Sequence, residues 1–344
     1  MFTKKIVVLV LGYNSLNLLD DCMISLSDQS YEDYEIWFAD NNSNDGSVEY
    51  LNKNFPKIKT FQFKKNTGYA GGNNRLIKMA FDSGADFSLV LNADVKVDKN
   101  FILELVNSYS NSSKKEKIGL VQPLVMLYNE PEKINSMGNV IHYLGFGYCG
   151  GYKSKDIPKE DREIYSVSGT AMLIPKNYYE DVGLFDESFF MYNEDQDYSW
   201  RGLIMGYKHY LSVNSKIWHK YSFSKNKNKW YFSEKNRLSI LIKNYETKTL
   251  IKLILIIIFN ELAILIYSLF DGWFINKLRS YGTVFKNLGF LMRERNVVQS
   301  SREVSDIKII KYFSSKLSFD EVKNPLINLF LNPIYSFYRW LFRF

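Results

Sequence analysis

Lys5-Ile6-Val7-Val8-Leu9-Val10-Leu11-Gly12-Tyr13-Asn14 is the stretch from which the fold is read. Its apolar run, Ile6 to Leu11, is too short for a signal core or a membrane span, and Gly12-Tyr13-Asn14 stops it. Six Ile- and Val-rich residues closed by a polar turn read as a buried strand. Without a signal pattern, the front of the chain is expected in the cytoplasm. Outward from this strand, short apolar runs alternate with helical patterns. Ser15 is placed to cap a helix reaching about Gln29, and residues 35–39, 59–63 and 87–91 read as further strands. Helices are expected over 70–83 and 100–109, and a polar loop, Asp40-Asn41-Asn42-Ser43-Asn44-Asp45-Gly46-Ser47, caps another. This alternation predicts a Rossmann-like α/β fold, a mostly parallel sheet with helices on both faces. Ligands of such sheets sit at the carboxyl ends of the strands, where Tyr13-Asn14, Asp40 and Asn92-Ala93-Asp94 collect.

Composition narrows the class. The 344 residues are 46% hydrophobic and 24% charged with only 7 Pro, which excludes a disordered chain. Two cysteines, Cys22 and Cys149, make neither a disulfide framework nor a four-ligand zinc site, so a reducing compartment is expected. Residues 1–200 carry 20 Lys and Arg against 28 Asp and Glu, whereas residues 201–344 carry 24 against 9. A basic back half suits an anionic partner, a membrane surface or nucleic acid. No nucleic-acid module stands there, and apolar runs such as residues 253–259 are wrong for a solvated basic face, so nucleic acid is not expected.

Residues 138–151 are glycine-rich and read as a hairpin or lid, and 166–174 as a strand. After the basic loop Lys225-Asn226-Lys227-Asn228-Lys229 the pattern is helical to the end. Residues 250–270 are very apolar but interrupted by Lys252, Asn260 and Glu261, which fits an interfacial helix or re-entrant hairpin better than a full crossing. Residues 325–344 interleave Phe330, Tyr335, Phe337, Tyr338, Trp340, Phe342 and Phe344 with Arg339 and Arg343, as suits lipid headgroups. The alternative is that both segments cover the front domain or form a dimer contact. The expected division is a domain over 1–224, with halves 1–125 and 126–224, and a helical, membrane-peripheral region over 225–344.

Three features carry candidate chemistry. Asp40 suits a base NH or ribose hydroxyl, and Asp94, after an apolar strand, suits a hard divalent cation held also by substrate phosphates. Either alone is equally a cap or turn residue. Asn66-Thr67-Gly68-Tyr69-Ala70-Gly71-Gly72-Asn73-Asn74 puts three glycines ahead of a helix, where backbone NH groups can approach a diphosphate or sugar. Glu194-Asp195-Gln196-Asp197 crowds three carboxylates, which raises their pKa values and suits a general base; acids at a helix start are the plainer explanation.

Together and in this order, with Ser168-Gly169-Thr170-Ala171-Met172-Leu173-Ile174 and residues 183–197, these segments resemble the family 2 glycosyltransferases of the GT-A fold, in particular their rhamnosyltransferase-like branch. The resemblance spans roughly residues 5–240. It implies an inverting, metal-dependent enzyme moving one sugar from a nucleoside-diphosphate sugar, dTDP-rhamnose or a UDP-sugar, to a lipid-linked or cell-surface glycan acceptor. It implies that Tyr13 and Asp40 contact the nucleotide base, with Asn66, Gly72, Asn73, Asn92 and Glu194 beside the donor. Asp94 matches the end of the family's Asp-x-Asp, whose first position is Asn92 here, and His219 matches a late histidine that completes the site for Mg2+ or Mn2+. Asp195 matches the catalytic base, and Arg201 resembles an arginine common on the next helix. The Gln-x-x-Arg-Trp of processive members is absent, since Trp200-Arg201 runs in the wrong order, so single addition is expected. The glycine-rich entry of sugar nucleotidyltransferases is also absent near residue 12. The competing reading is a non-catalytic GT-A-like scaffold, favoured only by Asn92. An oligomer is left open.

Overall fold

The structure, a computed structural model, describes residues 4–114, 116–221, 228–318, 325 and 327–342. It runs β1 (Ile6–Gly12), α1 (Leu19–Ser27), β2 (Tyr34–Asp40), α2 (Ser47–Asn54), β3 (Lys59–Gln62), α3 (Gly68–Asp82) and β4 (Phe87–Asn92). Next come β5 (Val95–Val97), α4 (Phe101–Ser113), β6 (Ile118–Leu127), β7 (Ile134–Ser136), β8 (Asn139–Ile141), β9 (Gly147–Cys149), β10 (Arg162–Ile164) and β11 (Ala171–Pro175). Then follow α5 (Lys176–Val182), α6 (Glu194–Ile204), β12 (Lys208–His219), α7 (Asn228–Asn244), α8 (Thr247–Phe270), α9 (Phe274–Lys286), α10 (Leu288–Ser300), α11 (Asp306–Ile310) and α12 (Asn332–Leu341).

The ten-stranded sheet has the spine β10-β12-β6-β11-β4-β1-β2-β3, with β5 on β12 and β7 on β6. β3, β2, β1 and β4 are mutually parallel, as the strand–helix alternation predicts. The other half is mixed, with β12 parallel to β6. β11 lies antiparallel to both β4 and β6, while β10 and β5 run antiparallel to β12. An antiparallel neighbour needs no crossover helix, so this half lacks the regular alternation that reveals parallel strands. The mixed α/β sheet carries helices on both faces. Ile6, Val8 and Val10 share a core with Leu19, Met23 and Leu26 of α1 and with Phe101, Ile102 and Leu105 of α4. Strand alternation turns Leu11 to the other face. There α3 approaches so closely that a Cβ at Gly72 would stand 2.5 Å from Leu11 Cδ2.

Three local expectations are revised. Ser15 precedes a single turn of 3-10 helix, Leu16–Leu18, and its hydroxyl caps nothing; Asp45 Oδ2 accepts from Leu16 N instead, at 2.9 Å. The strand expected over 166–174 begins at Ala171, because Ser168 N leaves the ladder for Gln122 Oε1 at 2.6 Å. The glycines of residues 68–72 do not precede a helix. They form its first turn.

Two compact units divide the chain. The first comprises residues up to 139, 149–190 and 207–222, and holds the sheet. The second gathers 140–148, 191–206 and 223 onward. In it Trp200 packs edge-on against Tyr245 and Phe313, and Arg237 is enclosed with Glu234, Glu261 and Lys277. α8 runs unbroken through Asn260 and Glu261, so that segment is a helix and not a re-entrant hairpin. Residues 225–227 of the expected basic loop, and Arg343 and Phe344 of the aromatic tail, lie outside the described residues.

Candidate active site

In the first unit, register brings the strand ends together. Gly12 pairs with Asp40 and Leu11 with Asn92, so the residues after β1, β2 and β4 share one edge of the sheet. Tyr13 is 55% exposed there. Asp40 is buried and shapes its own loop, accepting from Ser43 N at 2.9 Å and from the Ser43 hydroxyl. Ser43 Oγ in turn accepts from Asn14 N at 2.8 Å, behind Tyr13. Each Asp40 oxygen keeps a second lone pair, so this turn leaves acceptor capacity toward a base or ribose.

Asn66 and Asn41 form the next layer. Asn66 Oδ1 accepts from Gly68 N at 2.8 Å and from Asn41 Nδ2 at 3.1 Å, while Asn41 Oδ1 accepts from Thr67 N at 3.2 Å. Asn41 was not singled out among the polar loop residues, yet it is the buried member that ties β2 to the start of α3. Gly72 faces Leu11, so its missing side chain serves packing. Asn73 is buried, donates to Tyr69 O at 3.0 Å, and leaves its Oδ1 without a partner.

Asp94 and His219 meet although 125 residues apart in sequence. Asp94 occupies the turn between β4 and β5, and β5 pairs with β12 so that Val95 faces His219. Lys220 N donates to Asp94 O at 2.9 Å, which fixes that turn. His219 Nε2 then lies 3.3 Å from Asp94 Oδ2. On the far side of the ring, Nδ1 lies 2.8 Å from Oδ1 of buried Asn135 on β7. An amide oxygen only accepts, so as placed it takes a proton from Nδ1. The other carboxylate oxygen, Asp94 Oδ1, is buried without a hydrogen-bond partner. An imidazole nitrogen with carboxylate oxygens suits a divalent metal such as Mn2+. Among the described residues no three His, Cys, Asp or Glu gather as ligands, so most of the coordination would come from substrate or water. Asn92 sits half-buried at the end of β4, its N bonded to Thr170 O at 2.9 Å. Nearby Cys22 is fully buried; burial first, and then the Asp94 charge, push its thiol up and keep it neutral. Lys220 Nζ turns to Asp21 at 2.6 Å, and the lysine, with the Tyr128 hydroxyl, holds that carboxyl below its ordinary range.

Asn135 is the contributor that sequence reading missed. It sits in a three-residue strand with no local signal, and Gln122 braces that strand from β6, its Nε2 3.4 Å from Ser136 O.

In the second unit the three crowded carboxylates have different fates. Asp197 is fully buried and paired with Arg201 Nε at 2.9 Å and Lys243 Nζ at 3.3 Å, with Asn244 Nδ2 donating at 3.1 Å, which gives Arg201 a structural partner. Glu194 is buried with Oε2 unpartnered; burial, then the Asp195 charge, raise its carboxyl well above the usual range. Asp195 alone stays half-exposed, in the first turn of α6, its Oδ1 accepting from Gln196 N at 2.8 Å. The preceding loop holds Phe190, Tyr192 and Asn193 at positive φ. Asn236 of α7 donates to Met191 O at 2.9 Å and Tyr192 O at 2.7 Å, supporting that loop.

The family model described as Glycosyl transferase family 2 matches residues 7–183. An N-acetylglucosaminyl-diphospho-decaprenol L-rhamnosyltransferase of Mycobacterium tuberculosis is 26% identical over 215 residues, 57% of this chain and 69% of that protein. A low-salt glycan biosynthesis hexosyltransferase of Haloferax volcanii is 28% identical over 141 residues, 40% of this chain and 43% of its own. Among solved structures, GalNAc-T7 with UDP, GalNAc and Mn2+ superposes with a TM-score of 0.58 at 16% identity, over 72% of this chain and 49% of that longer one. That likeness is of the GT-A fold.

Proposed function

We propose, from the premise that the chain belongs to the family 2 glycosyltransferases and to their rhamnosyltransferase-like branch, that it is an inverting enzyme adding one sugar to a lipid-linked glycan acceptor. The proposed donor is a nucleoside-diphosphate sugar, dTDP-rhamnose or a UDP-sugar. The observation that carries the reading is the Asp94–His219 pair, an imidazole nitrogen 3.3 Å from a carboxylate oxygen, a donor set that suits a divalent cation. The named acceptor of the mycobacterial relative, a polyprenyl diphosphate carrying a sugar, supports a lipid-linked acceptor here. An anionic membrane surface on the cytoplasmic side then becomes a natural partner for the basic second unit.

The proposed chemistry assigns roles to the chain's own groups. The family resemblance assigns Tyr13 and Asp40 to the nucleotide base, and Asn66, Gly72, Asn73, Asn92 and Glu194 to the sugar-diphosphate side. Asp94 and His219 would hold Mg2+ or Mn2+. When bound, that cation would neutralise the charge growing on the departing diphosphate. Asp195 accepts the proton of the acceptor hydroxyl as its oxygen attacks the anomeric carbon from the face opposite the diphosphate, and the configuration inverts. Half-exposure supports this choice: Glu194 is buried and Asp197 is committed to Arg201 and Lys243.

The test is thermal stability against a panel of nucleotide sugars with and without Mn2+, followed by transfer assays. A ligand at about 100 times its Kd stabilises by roughly 2.7 kcal/mol. Asp195→Asn is expected to keep the donor shift and lose transfer by at least about a hundredfold. Near-normal transfer by that variant removes the assignment.

A further inference from the structure

We infer that the apolar faces of α8 and α12 seat the protein monotopically on one leaflet of an anionic bilayer, with α8 lying along the surface instead of crossing it. The inference rests on the proposed membrane-bound acceptor for its purpose, but its geometry stands on the second unit alone. One stripe of α8, Thr249, Leu253, Ile256 and Asn260, is buried at spacings of four, three and four residues. The opposite stripe, Ile251, Leu255, Ile258, Leu262, Ile266 and Leu269, is exposed and wholly apolar. Only 22% of the apolar window of this helix is buried. α12 extends the surface. Tyr335 OH donates to Asn260 Oδ1 at 2.7 Å and Tyr338 OH to Lys252 O at 2.5 Å, while Phe337, Trp340 and Leu341 stay exposed. Water-facing apolar surface on this scale marks an interaction site.

The ion cluster argues against a crossing. Glu261, past the middle of α8, bonds Arg237 of α7 at 2.5 Å and Lys277 of α9 at 2.7 Å, and both cations also bind buried Glu234. Taking α8 through a bilayer would carry these four charges and parts of two less apolar helices toward its centre. Among the described residues α8 is the one helix long and apolar enough to cross, so α7 and α9 would find no place there. Lying flat keeps the cluster above the leaflet and buries only the apolar stripe.

Charge identifies the occupant. Among the described residues from 228 to 342, the exposed cations are eight, including Lys248, Lys252, Lys286 and Arg293, against Asp271 and Glu303 as the exposed anions. Anionic lipid complements that excess, whereas a second copy would bring the same sign of charge.

The purified chain is tested by flotation with closed vesicles of phosphatidylcholine alone or mixed equally with phosphatidylglycerol. Binding is expected only with the anionic lipid, weakening with salt, and falling at least about tenfold in an Ile258→Glu, Trp340→Ser double variant. Both changes are at exposed positions, so the variant should keep its thermal midpoint. In a Cys149→Ser background, Lys248→Cys and Asp271→Cys at the two ends of α8 should both react with a bilayer-impermeant maleimide on bound vesicles, while Ile258→Cys is protected. Protection of one end only, no lipid binding, or a dimer in solution that Ile258→Glu dissolves would each overturn the inference. Nucleotide-sugar shifts measured on the same proteins read the catalytic proposal separately: flotation without any donor shift removes that proposal and leaves this one standing.

Discussion

Replacing Asn135 with leucine tests the cation site proposed at the Asp94–His219 pair. In the native protein Asn135 Oδ1 lies 2.8 Å from His219 Nδ1, while its own Nδ2 has no partner. Leucine has the same branched shape but is bulkier; it relieves one unpaired buried donor and leaves the His219 Nδ1 proton without its acceptor, so folding stability should fall by about 1–3 kcal/mol. The ring, however, loses the acceptor that fixes its proton on Nδ1 and aims Nε2 at Asp94. Removing such an outer-shell partner costs about 10- to 100-fold in metal affinity, or roughly 1.4–2.7 kcal/mol. Free Mn2+ would be followed by electron paramagnetic resonance in the presence of UDP, which supplies the oxygens that two protein ligands leave wanting. Asn135→Asp keeps an acceptor facing Nδ1 and should retain Mn2+, whereas Asp94→Asn should abolish the protein's share of binding. Unchanged Mn2+ affinity in a well-folded Asn135→Leu protein would refute the reasoning, as would equal losses with leucine and aspartate.

Two further outcomes follow from packing and burial. Gly68 has φ +72°, and a Cβ there would stand 2.2 Å from the Phe190 carbonyl oxygen, whereas Gly46, at φ +79°, has nothing within 4 Å. Gly68→Ala should therefore cost about 3 kcal/mol or more in urea unfolding, and Gly46→Ala only about 1; equal midpoint shifts would contradict this. His142 is fully buried, and burial pushes its pKa from 6.5 down to about 3, with the Arg339 and Arg237 charges adding. Its folded pKa is the lower one, so the unfolded chain binds the extra proton between these values. The stability it contributes is complete above about pH 6.5 and falls by up to about 1.4 kcal/mol per pH unit on acidification toward pH 3. Urea titrations should show a shallower acid slope for His142→Gln, and matching slopes would count against the burial argument.

The parts of this protein legible in its sequence are those decided by local periodicity. β1 and β4 are short apolar runs because both faces are covered, and the polar residues at their ends stand out for that reason. The mixed half of the sheet was less legible, since β11 follows an irregular stretch in which Ser168 N donates to Gln122 Oε1. The glycines near residue 70 gave a misleading local cue: glycine ahead of a helix and glycine within its first turn look alike, and only the closeness of Leu11 to Gly72 decides between them.

The chemistry of individual acids was less legible still, because it is set by distant partners. Glu194, Asp195 and Asp197 are near-equivalent in sequence. Asp197 becomes a structural anion through Lys243 and Asn244, and Glu194 is pushed toward neutrality by burial, which leaves half-exposed Asp195 as the acid proposed for the base. Likewise His219 needs Asn135, 84 residues away, before its tautomer is defined, and Glu261 interrupts an apolar helix until Arg237 and Lys277 absorb its charge. In each case the residue type is necessary but its protonation and aim come from long-range packing. A family motif can therefore nominate Asp94, Asp195 and His219, but it cannot nominate Asn135. That asymmetry makes Asn135 the sharper position to test: changing a ligand tests only whether the site exists, whereas changing its support tests whether the fold prepares it.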